Sequence, residues 1–216
     1  MSSNELEDHR STSTTRSLLR CGVIVGVLYL TVGVIQGLVR DGFDFRRHAL
    51  SHLANGPGGW VQVANLAVCG LMVIAAAIGI ARVLQSRAAG WLLGCFGFGM
   101  IVSAIFKTDP VDGFPPGTPL GVPDTMSTSA LIHLTGGGIG FLTLAAACFV
   151  VARTMSRRNQ PSMARLSFVC GIVILVGFFT PVAIPNGSAA IAGIWLTVVV
   201  GWAWLAVTST QLMRQT

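Results

Sequence analysis

The chain is short of charge. Aspartate, glutamate, lysine and arginine make up 10% of its 216 residues, and no Asp, Glu or Lys falls in the middle of an apolar run. A proton-driven pump or a channel with a charged filter needs ionisable groups at membrane depth, so both classes are disfavoured. Disulfides and thiolate metal sites have no support either. The five cysteines, Cys21, Cys69, Cys95, Cys148 and Cys170, lie inside apolar runs and include no C-x-x-C pair, so they read as small packing residues. The glycine-rich run Thr135 to Phe141 has no following Gly-Lys-Ser/Thr and no preceding strand, which leaves helix packing as its explanation. No basic patch interleaved with aromatics is present, and no nucleic-acid partner is expected.

What the chain has in quantity is apolar surface: 52% of residues are hydrophobic and the mean hydropathy is +0.71. A membrane-crossing helix needs roughly 20 mainly apolar residues. Six segments approach that length: Leu18 to Val39, Trp60 to Ala81, Ala88 to Phe106, Leu131 to Val151, Leu166 to Ile184, and Ala189 to Thr210. The fold expected is all-α, a polytopic bundle of six transmembrane helices spanning residues 18–212. A hydrophilic tail over 1–17, expected to be disordered, precedes it, and a short end over 213–216 follows. The first span lacks a small-residue cleavage pattern and reads as a retained anchor.

Orientation follows from the basic residues, which favour the cytoplasmic side. Of the 14 lysines and arginines, ten fall at one set of span ends (Arg10, Arg16, Arg20, Arg82, Arg87, Arg153, Arg157, Arg158, Arg165, Arg214) and four at the other (Arg40, Arg46, Arg47, Lys107). Both termini are therefore expected in the cytoplasm of a cell-membrane, multi-pass protein whose partners include membrane lipids. The net charge of +6 is explained by this topology.

Lipid gives helices little hydrophobic reason to associate, so small residues must let backbones approach. Gly22, Gly26, Gly33 and Gly37 place such a stripe on the first helix, Gly90 and Gly94 on the third, and Gly136 and Gly140 on the fourth. Trp60 and Trp91 at span ends suit interfacial anchoring. Pro185-Asn186-Gly187 predicts a tight turn between the last two helices. Its faint echo of Asn55-Gly56-Pro57 is too slight to argue for a transporter built from inverted halves.

Chemistry concentrates in two loops on the less basic side. His48, Ser51, His52, Asp109 and Asp112 lie in them, and His133 sits about one turn inside the fourth helix. If Arg46 to Leu53 is helical, His48 and His52 share a face at i and i+4, a spacing that presents two imidazoles to one metal. The second loop, Lys107 to Ser129, is longer than a simple connector, and long ordered loops tend to be functional. Gln62 and Asn65, at i and i+3 near the same end of the second helix, predict a bond across helices or the floor of a pocket.

Ser51 shortly before a Gly-Pro turn, Phe106-Lys107-Thr108-Asp109-Pro110 closing the third helix, and His133 opening a small-residue fourth helix together resemble the membrane family called domain of unknown function 998. The resemblance covers roughly residues 18 to 212. It implies a six-helix bundle with Ser51, Asp109 and His133 as the matching polar positions, and it carries no activity with it.

Three readings of these residues stay open. Ser51, His133 and Asp109 supply the residue types of a nucleophile, a base and an orienting group, the set for hydrolysis of an amphipathic or lipid ligand. His48, His52 and His133, with Asp109 or Asp112, would suit a zinc-activated water; otherwise no cofactor is expected. In the third reading the same polar groups only tie loops to helices, as in a non-enzymatic accessory or structural membrane protein. Oligomeric state has no sequence signal.

Overall fold

The computed structural model describes the backbone of residues 3–184 and 187–216, with side chains from residue 12 onward. Six helices carry the chain: α1 Ser3–Val39, α2 Gly59–Leu84, α3 Arg87–Ile105, α4 Thr128–Arg157, α5 Pro161–Ala183 and α6 Ser188–Met213. Among the described residues all six contain stretches long and apolar enough to cross a membrane. The predicted all-α six-span bundle is therefore the observed one. The turn predicted at Pro185-Asn186-Gly187 has its first two residues outside the described part of the chain.

The helix starts and stops follow local chemistry. Ser86 and Ser127 cap α3 and α4 by accepting the amides of Ala89 and Ala130 at 3.3 and 3.1 Å, satisfying donors the helix cannot pair internally. Pro161 opens α5 at a position where its missing N–H costs nothing. α1 starts well ahead of the apolar run. No Gly or Pro lies between Ser2 and Cys21 to stop it, so residues 12–17, expected in the disordered tail, continue the helix; side chains before residue 12 lie outside the described part.

Each helix packs on its neighbours in sequence, and α1 also packs on α6, so the six close into a ring. The glycine stripe on α1 does what its spacing predicts. A Cβ on Gly22 would come within 2.2 Å of Ser209 Oγ, one on Gly26 within 2.7 Å of Trp202, and one on Gly33 within 2.8 Å of Leu50. Backbones also approach closely between α2 and α3. A Cβ on Gly70 would lie 2.7 Å from the Gly97 carbonyl oxygen, and one on Gly97 would lie 2.6 Å from that of Gly70.

Gly94 departs from expectation, because nothing lies within 4 Å of its Cβ position. Gly90 packs on Ala81, but one turn further on the two helices leave open space.

The amides of α2 bond across helices. Gln62 Oε1 accepts from Gln36 Nε2 at 3.0 Å, and Asn65 Nδ2 donates to the Tyr29 carbonyl at 3.1 Å. These bonds join α2 to α1; neither amide residue of α2 lines the ring's central cavity.

Candidate functional site

Two loops cover one end of the ring: residues 40–58, containing a 3-10 turn at Leu50–Ala54, and residues 106–127. Phe114 is the plug between them. It is fully buried, and its ring lies 5.3 Å from that of Phe43 and 5.5 Å from that of His48. Arg40 sits over the Phe114 face at 4.9 Å, a cation–π geometry. The same guanidinium donates to the carbonyls of Leu53 and Asn55, both at 2.6 Å, and so closes the C-terminal end of the 3-10 turn.

Asp112 fixes the second loop against the first. Its carboxylate takes a two-pronged contact from Arg47, Nε to Oδ2 at 2.7 Å and Nη2 to Oδ1 at 2.5 Å, and also accepts the Gly121 amide at 2.9 Å. The Arg47 contact, and then the Gly121 amide, hold its carboxyl down at about 2. The neighbouring carbonyl of Asp112 lies 3.2 Å from His48 Nε2. Because His48 Nδ1 accepts the Asp44 amide at 2.9 Å, Nε2 carries the proton and donates to Asp112. His48 is thus a fully buried packing residue with both nitrogens engaged.

The expected two-histidine helix face does not form. His48 lies in extended chain and His52 in the 3-10 turn, because the stretch between Phe45 and Ala49 folds back on itself through Asp44. Their rings meet edge to face at 6.1 Å, and His52 Nδ1 accepts the Ala49 amide at 3.1 Å. Among the described residues no three His, Cys, Asp or Glu side chains come together as a metal-holding group; the Nδ1 atoms of His48, His52 and His133 are each engaged with backbone. Burial, and then the nearby His48, push the His52 imidazole down to about 4.

The three residues of the nucleophile reading are divided between two places. Asp109 Oδ2 accepts the Ser127 amide at 2.8 Å, tying the second loop to the start of α4. With His52 and Thr108 it lines a shallow surface pocket of about 120 Å³. Ser51 and His133 instead line the central cavity of the ring, a space of about 100 Å³ walled by α1, α2, α3, α4 and α6. No hydrogen bond joins Ser51 to His133 or His133 to Asp109 among the described residues.

What orients His133 is backbone. Its Nδ1 lies 2.8 Å from the Phe106 carbonyl oxygen and 3.1 Å from that of Ser103. Carbonyls only accept, so Nδ1 carries the proton, and the ring caps carbonyls at the C-terminal end of α3 that its own helix leaves unpaired. Ser103 Oγ returns a bond to the His133 carbonyl at 3.4 Å. The neutral ring's Nε2 is then a bare lone pair with no partner among the described residues.

The rest of the cavity wall is mostly apolar, with Phe96, Met100, Leu144 and Trp202 contributing. Trp195 is also in the wall, and its indole N–H is buried without a hydrogen-bond partner.

Residues 23–211 match the family model described as a protein of unknown function (DUF998). The chain belongs to that family. The match takes in most of the first span, the four spans after it, nearly all of the last and both loops of this DUF998 protein. No curated protein and no solved structure is similar to it. Several residues that build its loop face and cavity had no motif to mark them. Phe114 and Arg40 were ordinary loop residues in the sequence. Tyr29 lay in an apolar run where aromatic residues are common, whereas the depth of Trp195 and Trp202 in the last span already suited either lipid or a pocket wall. The one available signal for Tyr29 was scarcity, since it is the single tyrosine.

Proposed function

We propose that this multi-pass membrane protein binds a small amphipathic ligand in the central cavity, with the ligand's apolar part among Phe96, Met100 and Trp202 and its polar end at His133. The observation that carries this reading is the division of labour in the imidazole. Nδ1 is held by two carbonyls, which leaves Nε2 as a fixed acceptor in a largely apolar cavity. Apolar walls with a few placed polar groups are the usual character of a small-molecule site. A ligand group that donates a hydrogen bond, a hydroxyl or an amine, is the one Nε2 selects. The arginine asymmetry supports a loop face outside the cell, and the ligand would then arrive from that side.

Purified full-length protein, extracted and analysed by mass spectrometry, tests the reading. Gly137 lines the cavity and a Cβ there meets only Ser103 Oγ, at 3.4 Å. Gly137→Leu therefore fills the space from the wall. A small co-purifying compound in wild type and its loss from Gly137→Leu at unchanged thermal stability is the expected result. Identical extracts from both proteins would overturn it.

Hydrolysis is the second reading, favoured by one observation: Ser51 shares the cavity with a basic Nε2. Asp109 has no part in that pair, so the orienting role falls to the two carbonyls. Labelling of Ser51 by a fluorophosphonate, lost in His133→Gln, is what the hydrolytic reading requires.

A further inference from the structure

The open space beside Gly94 belongs to a groove at the opposite end of the molecule from the loops. It has a volume of about 570 Å³ and runs between α2 and α3. Its floor is apolar, formed by Ile74, Ala77, Ala81, Gly90 and Gly94, and from Ile74 to Gln85 it extends for about 16 Å along α2 at the helical rise. At its end stand Arg82 and Arg87, both exposed. Trp91, which is 76% exposed, flanks it at the depth where indoles favour the membrane interface.

The polar groups of the connection between the helices are already engaged. Gln85 Nε2 donates to the Arg82 carbonyl at 2.6 Å, and Ser86 Oγ accepts the Ala89 amide at 3.3 Å. The two guanidinium groups have no hydrogen bond or ion pair among the described residues. Every acid from residue 12 onward, Asp41, Asp44, Asp109, Asp112 and Asp124, belongs to the two loops at the other end. α3 begins at Arg87, so the positive end of its dipole lies at the same place.

We propose that this groove is a binding site for an anionic phospholipid, with the phosphate between Arg82 and Arg87 and one acyl chain along the glycine floor. A free phosphate would use the arginines but has no need of an apolar channel leading away from them into the membrane. Basic pockets between helices at a membrane surface are built for lipid headgroups. The absence of a side chain at Gly94, with nothing within 4 Å of its Cβ position, gives a chain room to lie close to the α3 backbone.

The test uses full-length protein in detergent, titrated with phosphatidylglycerol or with phosphatidylcholine of the same acyl chains, and native mass spectrometry counts the retained lipids. Wild type should retain phosphatidylglycerol roughly ten- to thirtyfold better, the preference two arginines near a surface supply. The double variant Arg82→Gln, Arg87→Gln should retain the two lipids equally. In Gly94→Leu the new side chain enters open space, so the fold is kept and both lipids should leave. Equal retention of the two lipids by wild type would overturn the proposal. So would undiminished phosphatidylglycerol on Gly94→Leu, or a dimer that buries Trp91 and survives added lipid.

Discussion

Arg47 and Asp112 stand 65 positions apart in the chain and meet through two parallel bonds, at 2.7 and 2.5 Å, on the face where the two long loops join. Their side chains are 42% and 28% exposed, so water and salt weaken the attraction. The pair sets the register of the loops more than their stability. Asp112 also holds the Gly121 amide, so Asp112→Ala should loosen the loop face more than Arg47→Ala does. Limited proteolysis within residues 111–124 is the readout.

Acid should act on this face in two steps. His52 binds a proton near 6.5 when unfolded but only near 4 in place. Between those values the unfolded chain holds more protons, and stability contributed by the neutral ring is lost as pH falls through that window. Asp112 follows: its carboxyl is depressed from 3.8 to about 2, so its contribution is intact above about 4 and is lost as pH falls toward 2. Melting temperature against pH should show both declines. His52→Asn should remove the upper one only, and an unchanged upper decline in that variant would sink the assignment.

Removing the His133 ring takes a hydrogen-bond donor from two carbonyls at the end of α3. His133→Ala should lower stability by about 1–3 kcal/mol, the usual cost of leaving such acceptors unpaired. His133→Phe keeps the bulk but not the donor and should lose a similar amount. If the phenylalanine variant unfolds like wild type, the ring is held by packing and not by the carbonyls.

Phe114 has no exposed surface and three partners, Phe43, His48 and Arg40. Phe114→Ala should cost about 3–5 kcal/mol, the range for a large aromatic removed from a packed site. Because the plug joins two loops, hydrogen exchange should rise in both residues 40–58 and 106–121. A rise confined to the second loop would mean that Arg40 and the 3-10 turn hold the first loop unaided.

Gly70 and Gly97 should behave unlike Gly94. Alanine at either of the first two places a methyl group 2.6 to 2.7 Å from a backbone carbonyl oxygen, so α2 and α3 must separate, at about 1–3 kcal/mol for overpacking. Alanine at Gly94 meets nothing within 4 Å and should melt with wild type. Thermal unfolding of the three variants side by side decides the matter.

The glycines also show how much the sequence could reveal. Apolar length alone located all six spans, because a membrane admits few other structures. Regular spacing correctly marked the α1 face. It marked Gly94 as packing too, although that residue borders a groove, since spacing says which residues share a face and not what lies opposite. The Gly70 and Gly97 contact had no repeat to reveal it. In the loops, residue type identified the polar members, yet His48 and His52 were separated by a turn whose shape depends on backbone bonds to Asp44 and Ala49. The α1 amide Gln36, partner of Gln62, lay in an otherwise apolar run, and only the crossing of α1 and α2 brings the two together.

The contact between α1 and α6 closes the circle of helices, and Arg16 Nε reaches Thr216 Oγ1 at 3.2 Å across it. Arg16 on α1 and Thr216 beyond α6 are thus neighbours although 200 positions apart, and the ring of helix contacts has no break that would fix a starting point. A gene rearranged to open at the connection between α4 and α5, with a linker joining Thr216 to the turn of α1 that carries Arg16, would encode the same pairs of touching helices. The nascent chain would meet the membrane in a different order and still reach the same ring.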